Sequence, residues 1–176
     1  MNGGMWGNMN RINICWVVCI CVVCAACLRI EEDVTGRGLP RYQTISQSTL
    51  VFKTGVFLIE DRDNNELYVC PPGKRQDSAA ALSDFHGFPM RCGFGEHTFI
   101  IGIVEEGVKA RVDRIIEVTH PENGQFNIVI GRLLTGDRRG KTIHLESLLR
   151  RTGQSHVFSE QKLVPDARYL GVVDGK

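Results

Sequence analysis

The sequence predicts a mainly-β domain, either a small antiparallel barrel or an open sandwich, with one or two short helices. Three observations point there. Short runs rich in Val, Ile and Phe recur along the chain, the composition that packs well on a pleated surface. Several of them alternate apolar with polar residues, the period of a strand with one buried face. Clusters of Gly, Asn, Asp and Pro separate them at the short intervals expected of hairpin turns.

In chain order, Thr49 to Glu60 reads as one or two strands around Gly55, and Leu67 to Cys70 as a partner strand. The polar residues Asp61 to Glu66 form the turn between them, and Pro71-Pro72-Gly73 ends the second strand. Ala79, Ala80, Ala81 and Leu82 favour a short helix over Gln76 to Phe85. Thr98 to Val104 is the next strand, turned by Glu105-Glu106-Gly107. Lys109 to Val118 alternates, and its doubled Ile115-Ile116 predicts a bulge there. Pro121 to Gly124 is a turn, Gln125 to Leu134 a strand, Gly136 to Gly140 a turn, and Thr142 to Leu145 a returning strand. Leu145 to Arg151 also suits a helical turn. Tyr169 to Val173 is the last strand. The stretch from Thr98 to Leu145 thus reads as a meander, which an SH3-like barrel or an open sandwich accommodates.

The chain has 176 residues with 21 Lys and Arg against 20 Asp and Glu. That length suits a single domain, with or without a processed leader. A near-zero net charge supplies no broad field for nucleic acid, so no nucleic-acid partner is expected. Seven residues are Cys. Cys15, Cys19, Cys21, Cys24 and Cys27 crowd the N-terminus, and only Cys70 and Cys92 lie beyond.

The N-terminal crowding has its own logic. From Ile14 to Leu28 the chain carries no charge and no strongly polar group. This run is shorter than the about 20 residues that span a bilayer and fits the apolar region of a secretory signal. Arg11 precedes it, and Met9 would make a more usual start than Met1. Small residues, Ala25 and Ala26, stand before Cys27. Cys24-Ala25-Ala26-Cys27 resembles the lipobox of bacterial lipoproteins, departing from it at Cys24, where that family prefers Leu, Val or Ile. The resemblance covers only about the first 27 residues. It implies a signal helix over residues 1–26, removed on export, and a diacylglycerol on the Cys27 thiol. It also implies a cell-envelope protein whose partner is the lipid bilayer. Leu28 after the acceptor Cys favours the outer membrane, facing the periplasm, because retained lipoproteins of enteric bacteria commonly have Asp there. An uncleaved signal anchor and a conventional secretory signal are the alternatives. The C-x2-C-x2-C spacing of Cys21, Cys24 and Cys27 also suits a metal cluster, but the expected fourth Cys is replaced by Glu31.

On this reading residues 27–48 are a polar tether and residues 49–176 a single domain. Cys70 and Cys92 would face an oxidising compartment. A bridge between them closes a loop of about 23 residues, worth roughly 3 kcal/mol in the chain-entropy account. Two buried thiols, or a nucleophilic Cys92 with His86 or His97, are the alternatives.

Several motifs invite a catalytic or cofactor reading and fail it. Gly140-Lys141-Thr142 ends like a phosphate-binding loop, but the first glycine of that motif is replaced by Thr135. Asp61-x-Asp63-x-Asn65 begins like a calcium loop, but Glu66 stands where the sharp turn needs Gly and Pro72 where a bidentate Glu belongs. Asp84, His86, Cys92, Glu96 and His97 crowd together without a zinc-site spacing. His120 and His144 are isolated in the sequence and read as ordinary surface or core residues. Arg138, Arg139, Lys141, Arg150 and Arg151 form a basic group suited to a protein partner or lipid headgroups, or simply to a solvated face. No catalytic residue and no cofactor is expected. The functional expectation is a noncatalytic binding or assembly module of the envelope. The alternatives are an envelope or cell-wall hydrolase and a secreted, unlipidated effector or ligand-binding domain.

Overall fold

In the computed structural model, residues 29–72, 90–91, 97–153 and 157–173 are described, the pair 90–91 by backbone only. The expected helix over Gln76 to Phe85, and Cys27 and Cys92, lie outside them. The mainly-β expectation holds. Among the described residues twelve strands run in chain order: β1 (Ile30–Asp33), β2 (Thr49–Phe52), β3 (Val56–Asp61), β4 (Glu66–Cys70), β5 (Met90–Arg91), β6 (Thr98–Val104), β7 (Lys109–His120), β8 (Gly124–Leu133), β9 (Thr142–His144), β10 (Leu149–Thr152), β11 (Lys162–Pro165) and β12 (Leu170–Val173). Three short 3-10 turns, Pro40–Tyr42, Glu146–Leu148 and Phe158–Glu160, are the helical structure among the described residues.

One ten-stranded sheet runs in the order β12-β2-β7-β8-β9-β4-β3-β6-β5, with β1 added to β7; β10 and β11 pair separately. The sheet path is open, so the barrel alternative is corrected: β12 and β5 end the path rather than closing it. The meander is corrected in part. β7, β8 and β9 are consecutive neighbours, but β6 pairs with β3 and β5 instead of β7. The reason lies in β9. It is three residues long and meets β4 in parallel at the single pair Tyr68↔His144. That one junction joins the β2-β7-β8 half of the sheet to the β4-β3-β6 half.

Both halves supply one apolar core. Leu50 and Phe52 from β2, Val56 and Leu58 from β3, and Val112 and Ile115 from β7 meet in it, each at most 1 % exposed. Gly131 in β8 is required by this packing, because a Cβ there would lie 2.6 Å from Leu145 Cδ1. The bulge in β7 is displaced from its expected place. The register shift falls between Val112 and Arg114, and Ile115 and Ile116 then alternate normally, one to each face. Both are buried, Ile115 in the main core and Ile116 on the opposite face. The doubled Ile thus places one residue on each face of the strand rather than a bulge.

The expected tether is also corrected. Residues 30–33 pair with β7 from Ile30↔Thr119 to Asp33↔Ile116. Val34, Tyr42 and Ile45 are each no more than 2 % exposed within the main core. Burying three such side chains stabilises the fold by several kcal/mol, at about 1.5–3 kcal/mol each. The polar residues between them are the exposed outer side of a packed segment.

Candidate functional site

The face turned away from the main core carries a second apolar surface. Strand alternation builds it. In β4, Leu67 and Val69 pack toward the core, while Glu66, Tyr68 and Cys70 point the other way. In β8, Val129 and Leu133 are core residues, while Ile128 and Ile130 are half-buried on the opposite face. Across this junction lies a groove of about 950 Å3. Ile59, Ile116, Phe126, Ile128 and Ile130 give it apolar walls, and Arg29 and Glu31 lie at its N-terminal side.

His144 sits at the junction with its side chain 10 % exposed. Its Nδ1 is 3.0 Å from Glu146 Oε1 and its Nε2 3.5 Å from Glu66 Oε2. Its ring stacks on Tyr68 with centroids 4.4 Å apart. Tyr68 donates its hydroxyl proton to Glu66 Oε2 at 2.5 Å, and Asn64 Nδ2 donates to the same oxygen at 2.9 Å. Glu146 Oε1 also accepts the Val129 backbone N–H at 3.0 Å, and Ser147 Oγ donates to the Val69 carbonyl.

Burial opposes charge on His144, but the hydrogen bond and charge of Glu146, joined by those of Glu66, outweigh it and raise the imidazole above its usual pKa. Burial, followed by the hydrogen bond to Glu66, pushes Tyr68 up to about 12. The two carboxylates favour the imidazolium over the neutral ring, with Nδ1 hydrogen-bonded to Glu146 and Nε2 facing Glu66. Tyr68 stays protonated at neutral pH. The cluster is a histidine held between two carboxylates in a groove wall.

The residues expected from the sequence are dispersed. Cys70 ends β4, half-buried on the groove side, with its Sγ 3.5 Å from the Pro71 carbonyl. Asp61 Oδ1 accepts the Asp63 backbone N–H at 3.0 Å and Asn65 adopts φ 59°, so that triplet is an ordinary turn. Gly140-Lys141-Thr142 belongs to the hairpin between β8 and β9, where the Gly140 N–H bonds the Leu133 carbonyl at 2.8 Å. The basic residues do not act as one group. Arg138 Nη2 donates to the Ile101 carbonyl at 3.3 Å, and Arg139 and Lys141 are exposed on the same hairpin. Arg150 and Arg151 lie in β10 instead. Arg151 lies over the Phe158 ring at 3.9 Å and donates to Asn127 Oδ1 at 3.2 Å.

His144, Glu146, Glu66 and Tyr68 were missed by sequence reasoning. The signal available was spacing: His-x-Glu at 144 and 146, and Asn-x-Glu-x-Tyr from 64 to 68, each placing polar groups on one strand face. No spacing reveals that β4 and β9 are neighbours. Comparison with protein-family models, curated proteins and solved structures finds no match to this chain.

Proposed function

We propose that this chain is a lipid-anchored protein of the cell envelope whose domain is a noncatalytic binding module. The groove is its binding surface. The observation that carries the binding reading is the commitment of both His144 nitrogens to Glu66 and Glu146 beside apolar walls. Such a wall can receive and orient a ligand.

The anchor reading rests on the apolar leader and on Ala25-Ala26-Cys27. A signal helix over residues 1–26 is removed, and Cys27 carries the acyl chains that hold the protein at the outer membrane, facing the periplasm. In that oxidising compartment Cys70 and Cys92 are joined. The architecture this reading uses is the open sandwich. Arg139, Lys141 and Arg150 remain the candidates for headgroups or an envelope protein partner, since Arg138 and Arg151 are engaged within the fold.

Cys27→Ser tests the anchor. The variant is expected to leave the membrane fraction, and membrane-extracted wild type is expected to begin at Cys27 with added acyl mass. Unchanged fractionation of the variant overturns the proposal.

A further inference from the structure

The two halves of the sheet meet at a single backbone pair. β9 reaches β4 only through Tyr68↔His144, while β3, β4 and β6 on one side and β7 and β8 on the other are paired over many residues. The carboxylates at this seam are divided in the same way. Glu66 is held from its own half, where Tyr68 donates to Glu66 Oε2 at 2.5 Å and Asn64 Nδ2 donates to it at 2.9 Å. Glu146 is held from the other half, where its Oε1 accepts the Val129 N–H at 3.0 Å. The His144 ring stands between them, with Nδ1 3.0 Å from Glu146 and Nε2 3.5 Å from Glu66. Of these two contacts, only the one to Glu66 crosses the seam.

That crossing is conditional on a proton. An imidazolium carries a hydrogen on each nitrogen and can face both carboxylates, whereas a neutral ring keeps only one. With that hydrogen on Nδ1, donated to Glu146, Nε2 presents a lone pair to a carboxylate oxygen. Two acceptors repel, and Glu66 cannot turn aside without releasing Tyr68 and Asn64. The other tautomer only moves the conflict to Glu146, at the shorter distance. The remaining links across the seam are uncharged: the Ser147 hydroxyl on the Val69 carbonyl, and Leu58, Val69, Ile143 and Leu145 in the core beneath. They hold at every pH, so the seam loosens rather than separates.

We propose that His144 is a proton-operated latch, closing the seam between β4 and β9 when charged and loosening it when neutral. The groove lies across that seam, with Ile59 and Tyr68 on one side and Ile116, Phe126, Ile128 and Ile130 on the other. The latch therefore sets the groove's width. Other charges nearby do not oppose it. β8 presents Ile130 opposite His144, and Arg132 further along β8 is committed to Asp113 at 2.9 Å. Asp61 of β3 adds negative charge on the Tyr68 side. Arg29 and Arg114 in the groove meet Glu31 and Asp33 at 2.7 and 3.0 Å. Burial lowers the ring's pKa, but Glu146 and then Glu66 raise it above the usual 6.5. The latch is closed below that value and loosens as pH rises through the raised one. As a regulation of groove binding this rests on the binding reading; the latch itself stands on the seam, whatever the groove holds.

Backbone hydrogen exchange of the full-length protein tests the latch, read as protection factors so that the intrinsic pH dependence of exchange cancels. From below pH 6.5 to about two units above the His144 midpoint, amides of β4 and β9 are expected to lose protection about two- to fivefold, the range for a partly exposed ion pair. Amides at the centre of β7 and β8 are expected to keep theirs. Glu66→Gln keeps the shape and removes the charge, so its seam protection should be flat across this range, and that of His144→Gln likewise. His97→Gln, at an exposed histidine, should behave as wild type. Thermal unfolding checks each fold, and His144→Gln carries the comparison if Glu66→Gln melts early. Seam protection that ignores pH in wild type, a loss shared equally by β7 and β8, or a dependence that survives in the folded Gln variants overturns the proposal. None of these outcomes involves a ligand or a lipid, so the latch stands or fails apart from the binding reading.

Discussion

Tyr42 and Tyr68 each donate a hydrogen bond of 2.5 Å to a glutamate, to Glu117 and Glu66 respectively. Their surroundings then diverge. Tyr42 is 2 % exposed, and the Glu117 oxygen it meets also accepts from Arg41 Nε at 2.7 Å. Asn127 Nδ2 donates to the Tyr42 hydroxyl at 2.7 Å, and Arg151 closes the far side through Asn127. Two arginines share one carboxylate, and the network ties the N-terminal segment to β7, β8 and β10. Around Tyr68 one histidine faces two carboxylates, and the Glu66 side chain is 44 % exposed at a groove. The first network is a finished joint between segments, and the second keeps a charged face toward whatever enters.

That difference is measurable. Glu117→Gln leaves Arg41 and Tyr42 in the same half-closed space with a neutral partner. A loss of about 2–3 kcal/mol is expected, the range for hydrogen bonds to charged groups, read as a lowered urea midpoint at unchanged slope. A loss below half a kilocalorie would show the joint to be ornamental. Tyr42→Phe keeps the buried ring and removes only the hydroxyl, so about 1.5 kcal/mol is expected.

How far the sequence revealed these two regions follows from how local each one is. Alternation showed β7 and β8 nearly in place, and short apolar runs showed β2 and β3, because each buries side chains in the core. The packed N-terminal segment was hidden because Val34, Tyr42 and Ile45 are too widely spaced to show a period. Arg41 and Glu117 are 76 residues apart, and nothing in either neighbourhood names the other. The histidine site was hidden for a second reason. It depends on a three-residue strand and one parallel pair, Tyr68↔His144, and a contact that brief leaves no pattern. The bulge at Asp113 was masked by the more conspicuous Ile115-Ile116.

The histidine network is expected to be weaker and pH-dependent. His144→Gln should cost about 0.5–1 kcal/mol, since both of its carboxylates are partly exposed. The folded-state pKa is raised above the usual 6.5. The stabilisation is therefore fully present below that value and is lost as pH rises through the folded pKa. Urea unfolding of wild type and variant across this range should show curves that converge as the pH climbs. A gap that widens with pH would mean that the ring is held neutral.

Tyr68→Phe is the smallest expected effect and separates the two roles of Glu66. The ring still stacks on His144, and only the hydroxyl's bond to Glu66 Oε2 is lost. Stability should fall by about 0.5 kcal/mol, because Glu66 is open to water. The carboxylate oxygen no longer shares its charge with a hydroxyl, so its pull on the imidazolium grows. The His144 midpoint, followed through its ring-proton resonances, is expected to move further upward. A downward move would mean that the Tyr68 hydroxyl holds Glu66 within reach of His144, making the tyrosine the positioning residue of the groove wall.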